Sequence, residues 1–266
     1  MKLSFTTLAC PDWDLKTILA RAKEYGYDAI DFRGYGKEML IYKLPEFSTG
    51  AAATARQIAD SGLVVSALSS GALLFSDPAK KEAFVEEVSR YAELADVLNV
   101  PVIRVFGGRL GGAELDRAVD QAAAMAERLA AAAGDRLLAI ETHDDWTDSR
   151  LMVRLMESIR AKNACVLWDL HHPYRMSGES PETTWGLIGK YVRAVHVKDG
   201  IVSPEGKYVY TLPGQGTVPL VKMIDLMQAG GYDGYLTLEW EKRWHPELAG
   251  PEVSLPAYAE FLQRWR

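Results

Sequence analysis

Three carboxylates and one imidazole stand at the ends of four successive apolar runs. They are Glu141 in "LLAIETH" (137–143), Asp169 in "CVLWDLHH" (165–172), His196 in "RAVHVKD" (193–199) and Glu239 in "YLTLEWE" (235–241). Residues two apart in a strand share a face, so Glu141 goes with Ala139, Asp169 with Leu167, His196 with Ala194 and Glu239 with Thr237. Such an oxygen-rich set suits one divalent cation, Mn²⁺ before Mg²⁺ or Co²⁺, and can also accept Zn²⁺. Any one of these residues alone is more often a helix cap or the partner of an Arg or Lys. Their recurrence on four consecutive strands is what points to a metal.

The chain has five histidines, His143, His171, His172, His196 and His245. Four lie at or just past a strand's C-terminal end and the fifth a few residues beyond the last strand. His143 is a candidate for contact with substrate, whereas His171 reads as a packing residue or one that supports the site from behind, and not as a ligand. Lys198 and Asp199 have two readings each, an internal ion pair or helix cap on one side and contact with substrate on the other. Arg104, within "PVIRVFGG" (101–108), either reaches a substrate oxygen or pairs with an acid. Trp240 and Trp244 follow the last strand closely enough to shape a pocket, against the usual place of tryptophan in a core. Asp145, Asp148, Glu241 and Lys242 read as solvated rim charges. The glycine-rich "FGGRLGG" (106–112) with Arg109 can cradle an anion, but a tight turn between strand and helix is the better explanation.

These groups need a scaffold that brings strand ends together. Besides the four runs above, apolar stretches recur at 3–8, 28–34, 63–70 and 101–108, giving eight strands. Segments of helical spacing follow them at 14–26, 51–61, 79–98, 113–133, 148–162, 182–190, 218–229 and 255–265. Eight strand–helix units without a linker or low-complexity stretch fit a single (β/α)₈ TIM barrel spanning 1–266 better than an open doubly wound sheet. In such a barrel all the strand ends named above meet on one rim, where active sites are built.

Composition narrows the partners. The formal net charge is −6, which opposes nucleic acid and anionic membranes. No run reaches 18 apolar residues and "MKLSFTTLACPDWD" lacks the features of a signal peptide, so the expected location is cytoplasmic. Cys10 and Cys165 have no metal or redox spacing and are expected to be reduced and structural.

Taken in order, "IETHDDW", "LWDLHHP", "VHVKD", "GQG" and "LEWEKRWHPEL" resemble the sugar phosphate isomerase/epimerase group of the xylose isomerase-like TIM barrels. That group includes the ketose 3-epimerases, hydroxypyruvate isomerase, inosose dehydratase and endonuclease IV. The resemblance implies metal ligation by Glu141, Asp169, His196 and Glu239, with Glu141 and Glu239 also acting as acid and base. It places His172 on a substrate oxygen and implies a homodimer or homotetramer. One departure is plain: the epimerases carry an arginine shortly after the metal histidine, and "VKDGIVSPEGK" has none.

The implied reaction begins with a 2-ketose or related hydroxyketone that chelates the cation through its carbonyl and an adjacent hydroxyl. The cation stabilises the enediolate left when a carboxylate removes the intervening proton. Reprotonation on the opposite face epimerises, return to the neighbouring carbon isomerises, and loss of a β-hydroxyl dehydrates. Isomerase or epimerase is the first expectation and a sugar or inosose-type dehydratase the second. A nuclease resembling endonuclease IV fits poorly, because the third and fourth strands end "SALSS" and "RVFGG" without its extra histidines. A barrel that binds without catalysing fits poorly as well, since three clustered carboxylates are costly to keep without a cation.

Overall fold

The computed structural model describes residues 1–266. Eight parallel strands close into a barrel: β1 (Lys2–Thr6), β2 (Ala29–Phe32), β3 (Val64–Leu73), β4 (Val102–Phe106), β5 (Leu137–Glu141), β6 (Ala164–Asp169), β7 (Val192–Val197) and β10 (Tyr235–Leu238). Closure is made by β1 pairing with both β2 and β10, in the register Ser4 opposite Ala29 and Ser4 opposite Thr237. The helices α1 (Leu15–Glu24), α2 (Ala51–Asp60), α3 (Lys81–Leu98), α4 (Leu115–Ala132), α5 (Ser149–Ser158), α7 (Pro181–Ile188), α8 (Leu220–Ala229) and α9 (Pro251–Leu262) follow the strands in the expected alternation. None is long and apolar enough to cross a membrane.

Local chemistry sets the helix boundaries. Asp14 accepts from the Thr17 amide, Ser180 from the Thr183 amide, and Asp148 from the amides of Arg150 and Leu151, each at the first turn of a helix. After α1 and α2 the chain turns through Gly26 and Gly62, both at φ +79°, a conformation that would strain any residue with a Cβ.

Two additions break the strict alternation. Directly after β6 the short helix α6 (His171–Ser177) opens on the paired histidines, and after β7 an antiparallel hairpin, β8 (Asp199–Val202) with β9 (Tyr208–Thr211), stands outside the barrel sheet. The hairpin rests on α6: the Tyr208 ring lies 4.5 Å from the His171 ring, with the Arg175 guanidinium 3.8 Å from its centroid.

Most of the core, a cluster of 61 buried residues, packs between strands and helices. A separate small cluster, Ala67, Val102, Ala139, Cys165 and Leu167 with Leu137 and Ala194 against it, fills the inside of the barrel. These are the same-face neighbours of Ser69, Arg104, Glu141, Asp169 and His196. The alternation therefore carries all five polar side chains into the barrel's mouth.

Candidate metal centre

Glu141, Asp169, His196 and Glu239 each offer a donor atom to one group within which all such atoms lie within 4.8 Å of one another, and all four residues are buried. Register accounts for the convergence: His196 stands opposite Asp169 on one side and opposite Thr237, two residues before Glu239, on the other. Among the donor atoms, Oε1 of Glu141 and Nδ1 of His196 have no hydrogen-bond partner, and Oε2 of Glu141 and Oδ2 of Asp169 have only ion-pair contacts, with Arg104 and Lys198. Buried, unpartnered and mutually close acceptors of this type are disfavoured unless a cation joins them, so the residues fit a divalent metal.

The two His196 nitrogens face different surroundings. Nδ1 points into the group, 3.5 Å from Glu239 Oε1 and 3.9 Å from Glu141 Oε1. Nε2 lies 3.2 Å from Asp31 Oδ2, which also accepts from the Ser69 hydroxyl at 3.0 Å. A carboxylate behind an imidazole fixes its tautomer and strengthens the opposite nitrogen as a donor to metal. Burial works against the imidazolium, but Glu239, Asp31 and Glu141 outweigh it and raise the His196 pKa to about 9.

Lys198, fully buried, points its Nζ at Glu239 Oε2 (2.5 Å), Asp169 Oδ2 (2.9 Å) and Glu241 Oε1 (3.0 Å). Of its two sequence readings, the structure shows the ion pair. Glu241 is thus drawn into the site and is not a solvated rim charge. Burial pushes the Glu239 carboxyl up, yet Lys198 and then His196 overcome this and hold it well below the usual range. Burial and the Glu239 charge raise Glu141, although Arg104 opposes them. The Arg104 Nε lies 3.2 Å from Glu141 Oε2. Two glutamates flanking one site are therefore pushed in opposite directions, an arrangement that separates an acid from a base.

Asp169 also orders the backbone beyond it, with Oδ1 accepting from the amides of His171 (2.9 Å) and His172 (3.3 Å). The His172 Nδ1 is 3.0 Å from the Thr142 carbonyl, which can only accept, so the ring is an Nδ1–H tautomer with Nε2 left over. Burial, then Lys198 and His143, keep it neutral. His143 sits edge-on to His172 at 4.6 Å, 4.7 Å from the Phe106 ring, with Nδ1 3.2 Å from Asp144. His171 is packed on Tyr208, as its packing assignment requires.

Three sequence expectations resolve away from the site. Trp240 has its ring in the core against Tyr258, with Nε1 donating to the Ala249 carbonyl at 2.9 Å, because alternation turns it outward between Glu239 and Glu241. Asp199 holds a loop and touches none of the four donors: it accepts from the amides of Gly200, Gly214, Gly216 and Val218 at 2.8–3.2 Å. In the "FGGRLGG" loop the structure favours the tight turn. Asp145 takes the Leu110 amide, Glu114 takes the first amides of α4, and Arg109 is largely exposed.

Asp31, Ser69 and the hairpin tyrosines were not singled out from the sequence. Asp31 did leave a signal, a carboxylate on the same face as Ala29 near the end of "DAIDFRG". Tyr208 and Tyr210 left none, since the hairpin interrupts the expected strand-to-helix passage.

A family model described as a xylose isomerase-like TIM barrel matches residues 19–265. No curated protein gives a significant match. Among solved structures, the IOLI protein with a binding zinc atom aligns over 99% of this chain and 97% of its own, at 18% identity and a TM-score of 0.83. The probable 3-DHS dehydratase AsbF, involved in petrobactin synthesis in Bacillus anthracis, aligns over 99% of both chains at 19% identity and a TM-score of 0.80. A D-psicose 3-epimerase, crystallised in the presence of D-fructose, aligns over 98% of both chains at 15% identity and a TM-score of 0.77. These likenesses concern the fold, and the family model's near-complete span agrees with the barrel and its strand-end donors: the chain belongs to the xylose isomerase-like TIM barrel family.

Proposed function

We propose that this chain is a divalent-metal-dependent isomerase or epimerase acting on a ketose or a related hydroxyketone. The observation that carries the reading is the buried group of Glu141, Asp169, His196 and Glu239, whose donor atoms face one another with partners missing. A cation held by these four residues would stabilise the negative charge that develops on substrate oxygens when a neighbouring carbon is deprotonated.

The protein's own groups divide the remaining work. Glu239, kept ionised by Lys198 and His196, takes the proton from carbon. Glu141, whose carboxyl is held up by burial, returns a proton from the other side. His172, neutral and anchored through Nδ1 on Thr142, presents Nε2 to a substrate hydroxyl. Lys198 holds Asp169 and Glu239 in place. The likeness to a D-psicose 3-epimerase supports the choice of sugar class.

A second reading, dehydration of a sugar or polyol, is favoured by Lys198 itself. Its ammonium lies 2.5 Å from Glu239 and can assist a departing β-hydroxyl, and the likeness to AsbF points the same way.

The test is exchange of carbon-bound protons with deuterated solvent, followed by NMR on a panel of ketoses with Mn²⁺-loaded protein. The expected result is exchange by the wild type and its loss, by at least about a hundredfold, in Glu239→Gln with metal content retained. Exchange that persists in the variant removes Glu239 as base. Net loss of water, the carbon-bound proton together with the β-hydroxyl, selects the dehydratase.

A further inference from the structure

Beside the four donors, on the β2–β4 side of the mouth, two arginines meet at one aromatic ring. The Arg104 guanidinium lies 3.8 Å from the centroid of Phe106 and that of Arg33 lies 5.6 Å from it. Arg33 shares its face with Asp31 and so belongs to the inner wall, at the top of β2.

Neither guanidinium is satisfied. Arg104 is fully buried, reaches an acid only through Nε, 3.2 Å from Glu141 Oε2, and has its Nη1 without a partner. Arg33 is half-buried, forms no ion pair, and makes a single hydrogen bond, 3.4 Å to the Ser69 carbonyl. The nearby Glu87 already accepts from the Gly71 amide at 2.6 Å. Burial and then the charge of Arg104 lower the Arg33 pKa to about 10, a sign that the two cations press on each other.

Unfilled arginine donors in a dry wall are costly unless an anion completes them, and the planar fork of a guanidinium matches a carboxylate. With Glu141 counted in the metal group, two arginines against Glu87 leave one positive charge. That complements a monoanion better than a phosphate dianion.

We infer that Arg33 and Arg104 form an oxyanion subsite beside the metal group, and that the substrate is a polyhydroxylated sugar or ring compound bearing a carboxylate. This rests on the proposed function for the position of the reacting carbons and names the substrate class for that site.

The test compares D-glucuronate, D-glucose and D-glucose 6-phosphate, which differ only at C6, by calorimetric titration of Mn²⁺-loaded protein. D-glucuronate is expected to bind at least about tenfold more tightly than either of the others, in keeping with charge-assisted hydrogen bonds. In Arg33→Met that preference should vanish, while D-glucose affinity, manganese content and circular dichroism stay as in the wild type. Arg33→Lys, which keeps the charge without the fork, should recover only part of it. Absence of D-glucuronate binding, equal binding of D-glucuronate and D-glucose, or a preference that survives Arg33→Met overturns the subsite. Tightest binding of the phosphate overturns the carboxylate assignment. Proton exchange on neutral ketoses without any carboxylate preference sinks the subsite alone. A clear D-glucuronate preference in a protein that exchanges no proton sinks the reaction alone.

Discussion

His196 depends on a residue that touches none of the other three donors. Asp31 Oδ2 faces His196 Nε2 at 3.2 Å and leaves Nδ1 turned toward Glu239 and Glu141, the nitrogen that a metal held by this group would use. In Asp31→Asn a carboxamide replaces the carboxylate behind the ring, and metal affinity is expected to fall by about 10–100-fold with the fold retained. Competition with a chelator of known affinity measures this, and an unchanged affinity would leave Asp31 as a packing residue. At this scale the four donors were legible in the sequence because strand alternation fixes the direction of a side chain. The partners of Lys198 were not legible. Whether a buried ammonium touches substrate or Glu241 depends on where a residue 43 positions along the chain returns, and no local pattern encodes that.

The segment after β7 shows the same contrast between elements. The eight strands and their helices follow hydrophobic period and glycine stops, and the observed bounds fall within a few residues of those expected. The hairpin β8–β9 and the short helix α6 escaped because both grow from strand ends where polar residues serve the site and mask the usual period. One carboxylate organises that region: Asp199 gathers the amides of Gly200, Gly214, Gly216 and Val218. At Gly216 a Cβ would stand 2.0 Å from Asp199 Oδ1, so glycine is required for the approach. Asp199→Ala therefore leaves several amides unpaired, at about 1–3 kcal/mol each for those that stay buried. Hydrogen exchange is the direct measurement. Protection at Gly214, Gly216 and Val218 should collapse while β4 to β6 remain protected, whereas a uniform loss over the barrel would assign Asp199 a global role.

Over the whole molecule, both cysteines are enclosed by the layers they belong to, Cys165 inside the barrel and Cys10 in the main core. Burial, opposed only by Arg193, lifts the Cys165 thiol to about 12, and burial with Glu252 lifts Cys10 further. A raised folded-state pKa keeps the neutral thiol in the native protein, while an unfolded thiol ionises above about 8.5. The thiols' contribution to stability is thus fully present below that value and declines as pH rises past it. At pH 8 a thiol-reactive dye should label neither cysteine in the folded protein and both after denaturation. Rapid labelling of the native protein would show that the core opens on the timescale of the assay.

The closure of β1 onto β10 constrains the history of the chain during its synthesis. At roughly 5–20 residues per second, β1 is made many seconds before the strand that completes its hydrogen bonding. Until then the nascent sheet offers one open edge at β1 and a second, advancing edge at whichever strand has last left the ribosome. Arg104, Glu141, Asp169 and His196 come out before Glu239 does, so the site is assembled only in the step that seals the sheet. A chain stalled short of β10 would carry most of the ionisable groups of the site and none of its enclosure, which makes it a natural client for chaperones that recognise unpaired strands.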